Sequence, residues 1–163
     1  MANVALFETV LNSLPPDAHH RRAWLALLTC FSRIERILMQ HIAQQYNSSL
    51  PRYDILTALA LHEKSLTMGE LATMLEVTKG NITGVVRRLS HDGLVSKVTL
   101  KEDRRIQSVS ITAEGRMLWV AMHDDYDRII SRLLSGQSDD QVKSLTRALK
   151  QTLKAVDKIA AAL

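Results

Sequence analysis

Cys30 is the only cysteine in the 163-residue chain. An intrachain disulfide framework is therefore excluded, and a reducing, cytoplasmic setting is expected. No basic stretch followed by an apolar run stands at the start, so no signal peptide is expected. Uninterrupted apolar runs are short, so no segment is expected to span a membrane. Catalytic signatures are missing as well. The six histidines, at 19, 20, 41, 62, 91 and 123, show no paired H-x3-H spacing. There is neither a nucleophile elbow nor a phosphate-cradling glycine loop. The nearest thing to a metal cluster is His123-Asp124-Asp125 with Asp127. On a helix those side chains diverge, and they read as an exposed acidic patch. Neither an enzyme nor a metal or cofactor site is expected.

What is present is 46% hydrophobic and 23% charged, the make-up of an ordinary soluble globular unit with a real core. Its organising stretch runs from Thr67 to Gly115. Thr67-Met68-Gly69-Glu70 is a capping box that opens a short helix with Leu71, Ala72 and Leu75 on its apolar face. A turn through Glu76 and Val77 leads to Thr78, the N-cap of a second helix that reaches about His91. In that helix Ile82, Val85, Val86 and Leu89 share one side, and Gly80, Thr83, Gly84, Arg87 and His91 point the other way. Each glycine costs roughly 1 kcal/mol against alanine in a helix. Two on one face make sense where something must approach the backbone, as a major groove would. Lys79, Asn81 and Thr83 lie in the first turns, where a recognition helix meets base edges. Arg87 and Arg88, further along, suit phosphates or flanking bases.

Gly93 closes that helix, and two strands follow, Leu94–Leu100 and Gln107–Ile111, with Val109 and Ile111 on one face. Between them Lys101-Glu102-Asp103-Arg104-Arg105 forms a polar hairpin tip. Asp103 can hold Arg105 by a charge-assisted bond and aim it outward, and an arginine so aimed suits a narrow minor groove. From Lys79 to Arg105 seven Lys or Arg stand against three Asp or Glu, 7 − 3 = +4, equal to the formal charge of the entire chain. A basic field confined to one proposed reading head is what attachment to phosphates requires.

The flanks are helical. Residues 1–20 read as a short helix with an arm, interrupted by Pro15-Pro16, and His19-His20-Arg21-Arg22 reads as a solvated helix start. From Arg21 to about Tyr46, Trp24, Leu27, Leu28, Phe31, Ile34, Leu38 and Ile42 recur at helical spacing. Cys30 lies within that apolar side and reads as a small buried hydrophobe. Asn47-Ser48-Ser49 breaks the helix and Pro51 opens the next. Thr112 caps a helix to about Leu134, apolar on more than one side. Ser138-Asp139-Asp140-Gln141 caps a last helix, in which Val142, Leu145, Leu149, Val156, Ile159 and Leu163 form a heptad seam interrupted by Thr152. A dimer interface is preferred to packing within one subunit, because a small head is too small to bury long terminal helices. Lys143, Arg147, Lys150, Lys154 and Lys158 read as a solvated face.

Two motifs then make a resemblance specific. Asp103-Arg104-Arg105 followed by Ile111-Thr112-Ala113-Glu114-Gly115 matches a wing pattern Asp-x-Arg, strand, Leu-Thr-x-x-Gly, with Ile in place of Leu. Leu89-Ser90-His91-Asp92-Gly93-Leu94-Val95 matches Leu-x-x-x-Gly-Leu-Val at the end of a recognition helix. The chain resembles the multiple antibiotic resistance regulator (MarR) family of winged-helix repressors over nearly its whole length. The resemblance implies a mainly α fold, a winged helix-turn-helix with a two-stranded wing at 51–112. The helices of 1–50 and 113–163 would form the dimerisation region. It further implies a homodimer on an inverted-repeat site in double-stranded DNA, read by Lys79, Gly80, Asn81, Thr83, Arg87, Arg88, Arg104 and Arg105, with Asp103 orienting Arg105.

By the same resemblance, an effector would sit between the dimer-forming helices and the reading head, lined by Trp24, Arg33, Arg36, Tyr53, Trp119 and Met122. Arginine with aromatics suits a small aromatic carboxylate or its coenzyme A thioester. Leu50-Pro51-Arg52-Tyr53-Asp54, Leu66-Thr67-Met68-Gly69-Glu70 and Gly80-Asn81-Ile82-Thr83-Gly84 look like the branch that controls hydroxycinnamate and related aromatic catabolism. Peroxide-sensing relatives carry a reactive cysteine near the start of the first long helix, whereas Cys30 lies more than a turn later. Three alternatives stay open: a constitutive DNA binder without effector, a redox-responsive regulator acting through Cys30, and a winged helix used for protein contacts.

Overall fold

A computed structural model of the chain describes residues 4–62, 64–99 and 107–162. It divides into two compact units, Met1–His123 and Asp124–Leu163. The first begins with α1 (Val4–Ser13), α2 (His19–Tyr46) and α3 (Leu50–Leu61). After these come β1 (Leu66–Thr67), α4 (Met68–Met74), α5 (Lys79–His91), β2 (Val95–Thr99) and β3 (Gln107–Ile111). Helix α6 (Ala113–Leu134) crosses the division, and α7 (Asp139–Ala160) belongs to the second unit. No helix among the described residues is long and apolar enough to cross a membrane.

Helix boundaries follow local chemistry. Asn47 ends α2 in the left-handed region, φ 45°, which asparagine tolerates better than most side chains. Pro51 stands in the first turn of α3, where its missing N–H has no partner to lose. Helix α1 packs against α2, and Arg33 of α2 pairs with Glu8 of α1.

The core lies where α3, α4, α5 and the sheet meet the C-terminal part of α2. Leu38, Ile42, Ile55, Leu56, Leu71, Val86, Leu89, Val109 and Met122 are buried. Removing a branched aliphatic side chain from such a site costs about 2–5 kcal/mol. Tyr46 donates from its hydroxyl to the Ala121 carbonyl at 2.8 Å, and Trp119 donates from Nε1 to Thr57 Oγ1 at 3.0 Å, fixing the start of α6 on α2 and α3.

The two strands read from the sequence pair as β2 and β3, and a third strand, β1, joins their sheet. The sheet order is β1-β3-β2, all antiparallel, with Leu66 opposite Val109 and Thr67 opposite Ser108. On the other side β2 meets β3 from Val95↔Ile111 to Thr99↔Gln107. β3 is thus central, which is why Ser108 is buried beside Val109. The hydroxyl of Ser108 donates to the Val98 carbonyl at 3.2 Å and so carries no unmet polar cost.

A second correction concerns Cys30, which is exposed. The apolar stripe of α2 is real, but only its C-terminal end, Leu38 and Ile42, is fully buried by the described chain, and Leu28 and Ile34 are half-buried. Trp24 and Phe31 remain 58% and 61% exposed, and Cys30 shares their stretch of the helix.

In the second unit, the Ser138–Gln141 capping box forms as the sequence indicated, with Ser138 N–H donating to Gln141 Oε1 at 2.8 Å. None of the described residues of α7 is buried. Leu145, Leu149, Val156 and Ile159 stand exposed along the predicted seam, and exposed Leu153 widens it. Thr152, the break in that seam, satisfies its hydroxyl on the Ala148 carbonyl at 3.1 Å. Leu163 lies outside the described residues.

Candidate nucleic-acid interface

The reading head is built from two caps. Thr67 Oγ1 accepts from Glu70 N–H at 3.2 Å, while the Glu70 carboxylate accepts from Thr67 N–H at 2.7 Å. That second bond holds the Glu70 carboxyl below its ordinary range. The chain then turns with Glu76 at φ 52°, and Val77 N–H closes back on the Ala72 carbonyl at 3.0 Å. Thr78 caps α5 by accepting from Asn81 N–H at 3.4 Å. Both caps and both helix starts are those read from the sequence.

Helix α5 is sharply two-faced. Ile82, Val86 and Leu89 are 0–3% exposed and seat the helix on the core. Lys79, Gly80, Asn81, Thr83, Arg87 and Arg88 are all exposed. Thr83 spends its hydroxyl proton on the Lys79 carbonyl at 2.8 Å, which leaves its oxygen lone pairs and methyl outward. A Cβ added at Gly84 would meet nothing within 4 Å, and one at Gly80 only the Thr78 hydroxyl at 4.0 Å. No packing within the chain requires glycine at either place. Neither Arg87 nor Arg88 has a carboxylate partner among the described residues. Asp103, Arg104 and Arg105 lie outside the described residues, although β2 and β3, which lead to and from them, pair over five rungs.

The base of the wing is closed by three neighbours. Gly93 takes φ 72°, where a side chain is strained. Thr112 donates from its hydroxyl to the Gly93 carbonyl at 2.8 Å and accepts from Gly115 N–H at 3.0 Å, capping α6. Gly115 lies against the Leu94 carbonyl, so the glycine of the Leu-Thr-x-x-Gly pattern is a packing requirement.

Of the six effector-lining candidates, Tyr53 and Met122 are buried and Trp119 is half-buried. Tyr53 and Trp119 are brought together by His123, whose ring lies 5.0 Å from that of Trp119 and whose Nδ1 is 2.8 Å from the Tyr53 hydroxyl. Trp24, Arg33 and Arg36 are exposed on α2, with Arg33 paired to Glu8.

Two groups escaped the sequence reading. Arg52 of α3 reaches the end of α5, where its Nη1 donates to Asp92 Oδ2 at 2.7 Å. Asp92 also meets His91 Nδ1 at 3.1 Å, and these bonds, His91 first and Arg52 second, hold its carboxyl below the ordinary range. A signal was available: a carboxylate at a helix C-terminus opposes the helix dipole and calls for a cation. The other group is Asp54, which lines a recess of about 430 Å³ between α3 and α5 with Ile55, Asn81, Val85 and Arg88. The residue as a whole meets solvent, but burial of its carboxyl in that recess, and then the charge of Glu35 on α2, push it up to about 6.

A family model described as "MarR family" matches residues 48–106. The transcriptional activatory protein BadR of Rhodopseudomonas palustris is 32% identical over 92 residues, covering 56% of this chain and 51% of that one. The chain thus spans about half the length of that relative. An organic hydroperoxide resistance transcriptional regulator of Bacillus subtilis is 29% identical over 113 residues, 69% of this chain and 75% of that one. Among solved structures, the MepR–DNA complex of Staphylococcus aureus matches in fold with a TM-score of 0.73, at 19% identity, over 80% of this chain and 95% of that one. With the capped helix pair, the three-stranded sheet and its Gly115 in place, residues 48–106 match the MarR family and the chain has the winged-helix fold of that family's solved structures.

Proposed function

We propose that this chain regulates transcription by gripping double-stranded DNA as a homodimer, with α5 in the major groove and Arg105 of the wing in the adjoining minor groove. The carrying observation is the outward face of α5, where Lys79, Asn81, Thr83, Arg87 and Arg88 stand exposed beside two glycines that no internal packing requires. Cations without carboxylate partners among the described residues supply attraction to phosphates, and a face that lacks a Cβ at two positions lets base edges come close. Lys79, Gly80, Asn81 and Thr83 read bases, Arg87 and Arg88 serve the backbone, and Asp103 orients Arg105 beside Arg104. The uncovered apolar stripes of α2 and α7 support association of two chains. Two heads related by a two-fold axis favour an inverted repeat with half-sites about one helical turn apart.

The regulator represses a catabolic or efflux operon and is released by a small aromatic carboxylate or its coenzyme A thioester. Release follows when the effector binds better to a head spacing that no longer fits successive grooves. Arg33, Arg36 and Trp24 on α2, with Tyr53, Trp119 and Met122, supply the cation–aromatic chemistry for it. Gel-shift titration of Arg105→Ala on the selected operator tests the wing; unchanged affinity contradicts it. Thermal-shift screening of aromatic acids and their thioesters tests the effector, and no stabilisation across that class contradicts it.

A second reading rests on the exposure of Cys30. The thiolate sulfur then attacks one oxygen of hydrogen peroxide, the O–O bond breaks, hydroxide leaves and takes up a proton from solvent to give water, and the resulting sulfenic acid changes DNA affinity. Loss of binding on peroxide treatment of the wild type but not of Cys30→Ser supports it; identical behaviour of the two contradicts it.

A further inference from the structure

At the C-terminal end of α5, Arg52, Arg87, Arg88, His91 and Asp92 surround an open recess of about 430 Å³. Three guanidinium groups face one carboxylate, so the recess carries excess positive charge even when His91 is neutral. Arg52 is the unusual member. It comes from α3, outside the helix-turn-helix, and its side chain is only 15% exposed. Its Nη1 is fixed on Asp92, while its Nε–H is buried without a hydrogen-bond partner among the described residues. Leaving a buried donor unmet is costly, and a small shift of the guanidinium towards an acceptor in the recess would relieve it. Arg87 and Arg88, adjacent on α5, have no carboxylate partner among the described residues. A planar guanidinium held in place beside two exposed ones suits a tetrahedral phosphate, whose oxygens accept from several forks at once.

We infer that this recess is a phosphate site for the DNA backbone, with Arg52 a phosphate-binding residue supplied by α3 and Asp92 its positioning residue. The inference rests on the proposed function and extends the contact surface beyond α5 and the wing. Asp92 acts in two opposed ways: it holds Arg52 in place and it lowers the net charge of the recess. A purely structural ion pair would behave differently, since loss of either partner would then harm the head alike.

The test is fluorescence anisotropy of the full chain on a labelled mixed-sequence duplex a few helical turns long, titrated across a salt series. The variants are Arg52→Gln, Arg52→Lys and Asp92→Asn, each with a melting curve. Wild type gives a steep fall of log affinity with log salt. Arg52→Gln is expected to bind several-fold more weakly, with a slope smaller by about one phosphate contact. Arg52→Lys, which keeps the charge, retains the slope. Asp92→Asn, which frees Arg52 but also removes a negative charge from the recess, is expected to lose less affinity than Arg52→Gln and to keep the wild-type slope. Arg52→Gln with an unchanged slope, or Asp92→Asn weakened to the same degree as Arg52→Gln, overturns the inference. An inorganic tripolyphosphate arm separates DNA from free phosphate: stabilisation by tripolyphosphate lost in Arg52→Gln, with its DNA slope intact, overturns the DNA assignment. If wild type itself shows no salt-dependent DNA binding, the proposed function fails before this question arises.

Discussion

A Cβ on Gly115 would lie 2.0 Å from the carbonyl oxygen of Leu94, nearer than any real contact. That oxygen is held by Thr112 N–H at 3.1 Å, so neither partner can yield without opening the junction of β2 and α6. Gly115→Ala is therefore expected to destabilise the fold by about 2–4 kcal/mol. Thermal or urea unfolding checks this, and a melting temperature equal to wild type would contradict it.

Gly84 presents the opposite case. Its Cβ direction is empty, and alanine there should raise helix stability by about 0.5–1 kcal/mol. The same methyl would stand on the face proposed to meet the groove. Gly84→Ala is expected to melt higher and to bind DNA more weakly, read by calorimetry and anisotropy on one preparation. A variant that melts higher and binds equally well would remove the groove argument for this glycine.

The cap at Thr67 has a smaller and purely local role. Thr67→Ala removes the acceptor for Glu70 N–H and should cost about 1 kcal/mol, seen as a lower urea midpoint. Thr67→Ser, which keeps the hydroxyl, should restore most of the loss.

Asp54 links stability to pH. Its carboxyl titrates at about 6 in the folded chain against 3.8 ordinarily, so folding favours the protonated form. The stability it contributes is complete below about 3.8 and is lost as pH rises through about 6. Solvent contact screens this to at most about 1 kcal/mol. Asp54→Asn should therefore melt above wild type at neutral pH, and the gap should close towards pH 4. A gap independent of pH would show that Asp54 does not titrate in this way.

Much of the head was legible because its determinants are local. The Thr67–Glu70 box, the Thr78 cap and the Ser138–Gln141 box each need only a hydroxyl and a partner three residues on, and all three form. Strand β1 was not legible, because Leu66 and Thr67 are extended by pairing with Val109 and Ser108, far along the chain. Periodicity located the stripe of Trp24, Phe31 and Leu38, but it does not say how much one chain covers; hence the exposed Cys30. In the candidate site, the outward residues of α5 followed from helical phase. Arg52 did not, since its approach to Asp92 depends on how α3 packs across α5.

The central claim is that a cationic head holds duplex DNA through its phosphates, and the salt dependence of binding by the unaltered chain tests it most directly. The predicted result is a log–log slope of about −5 or steeper, the value for roughly six neutralised phosphates. A slope near zero, or no measurable binding to any duplex at low salt, would contradict it.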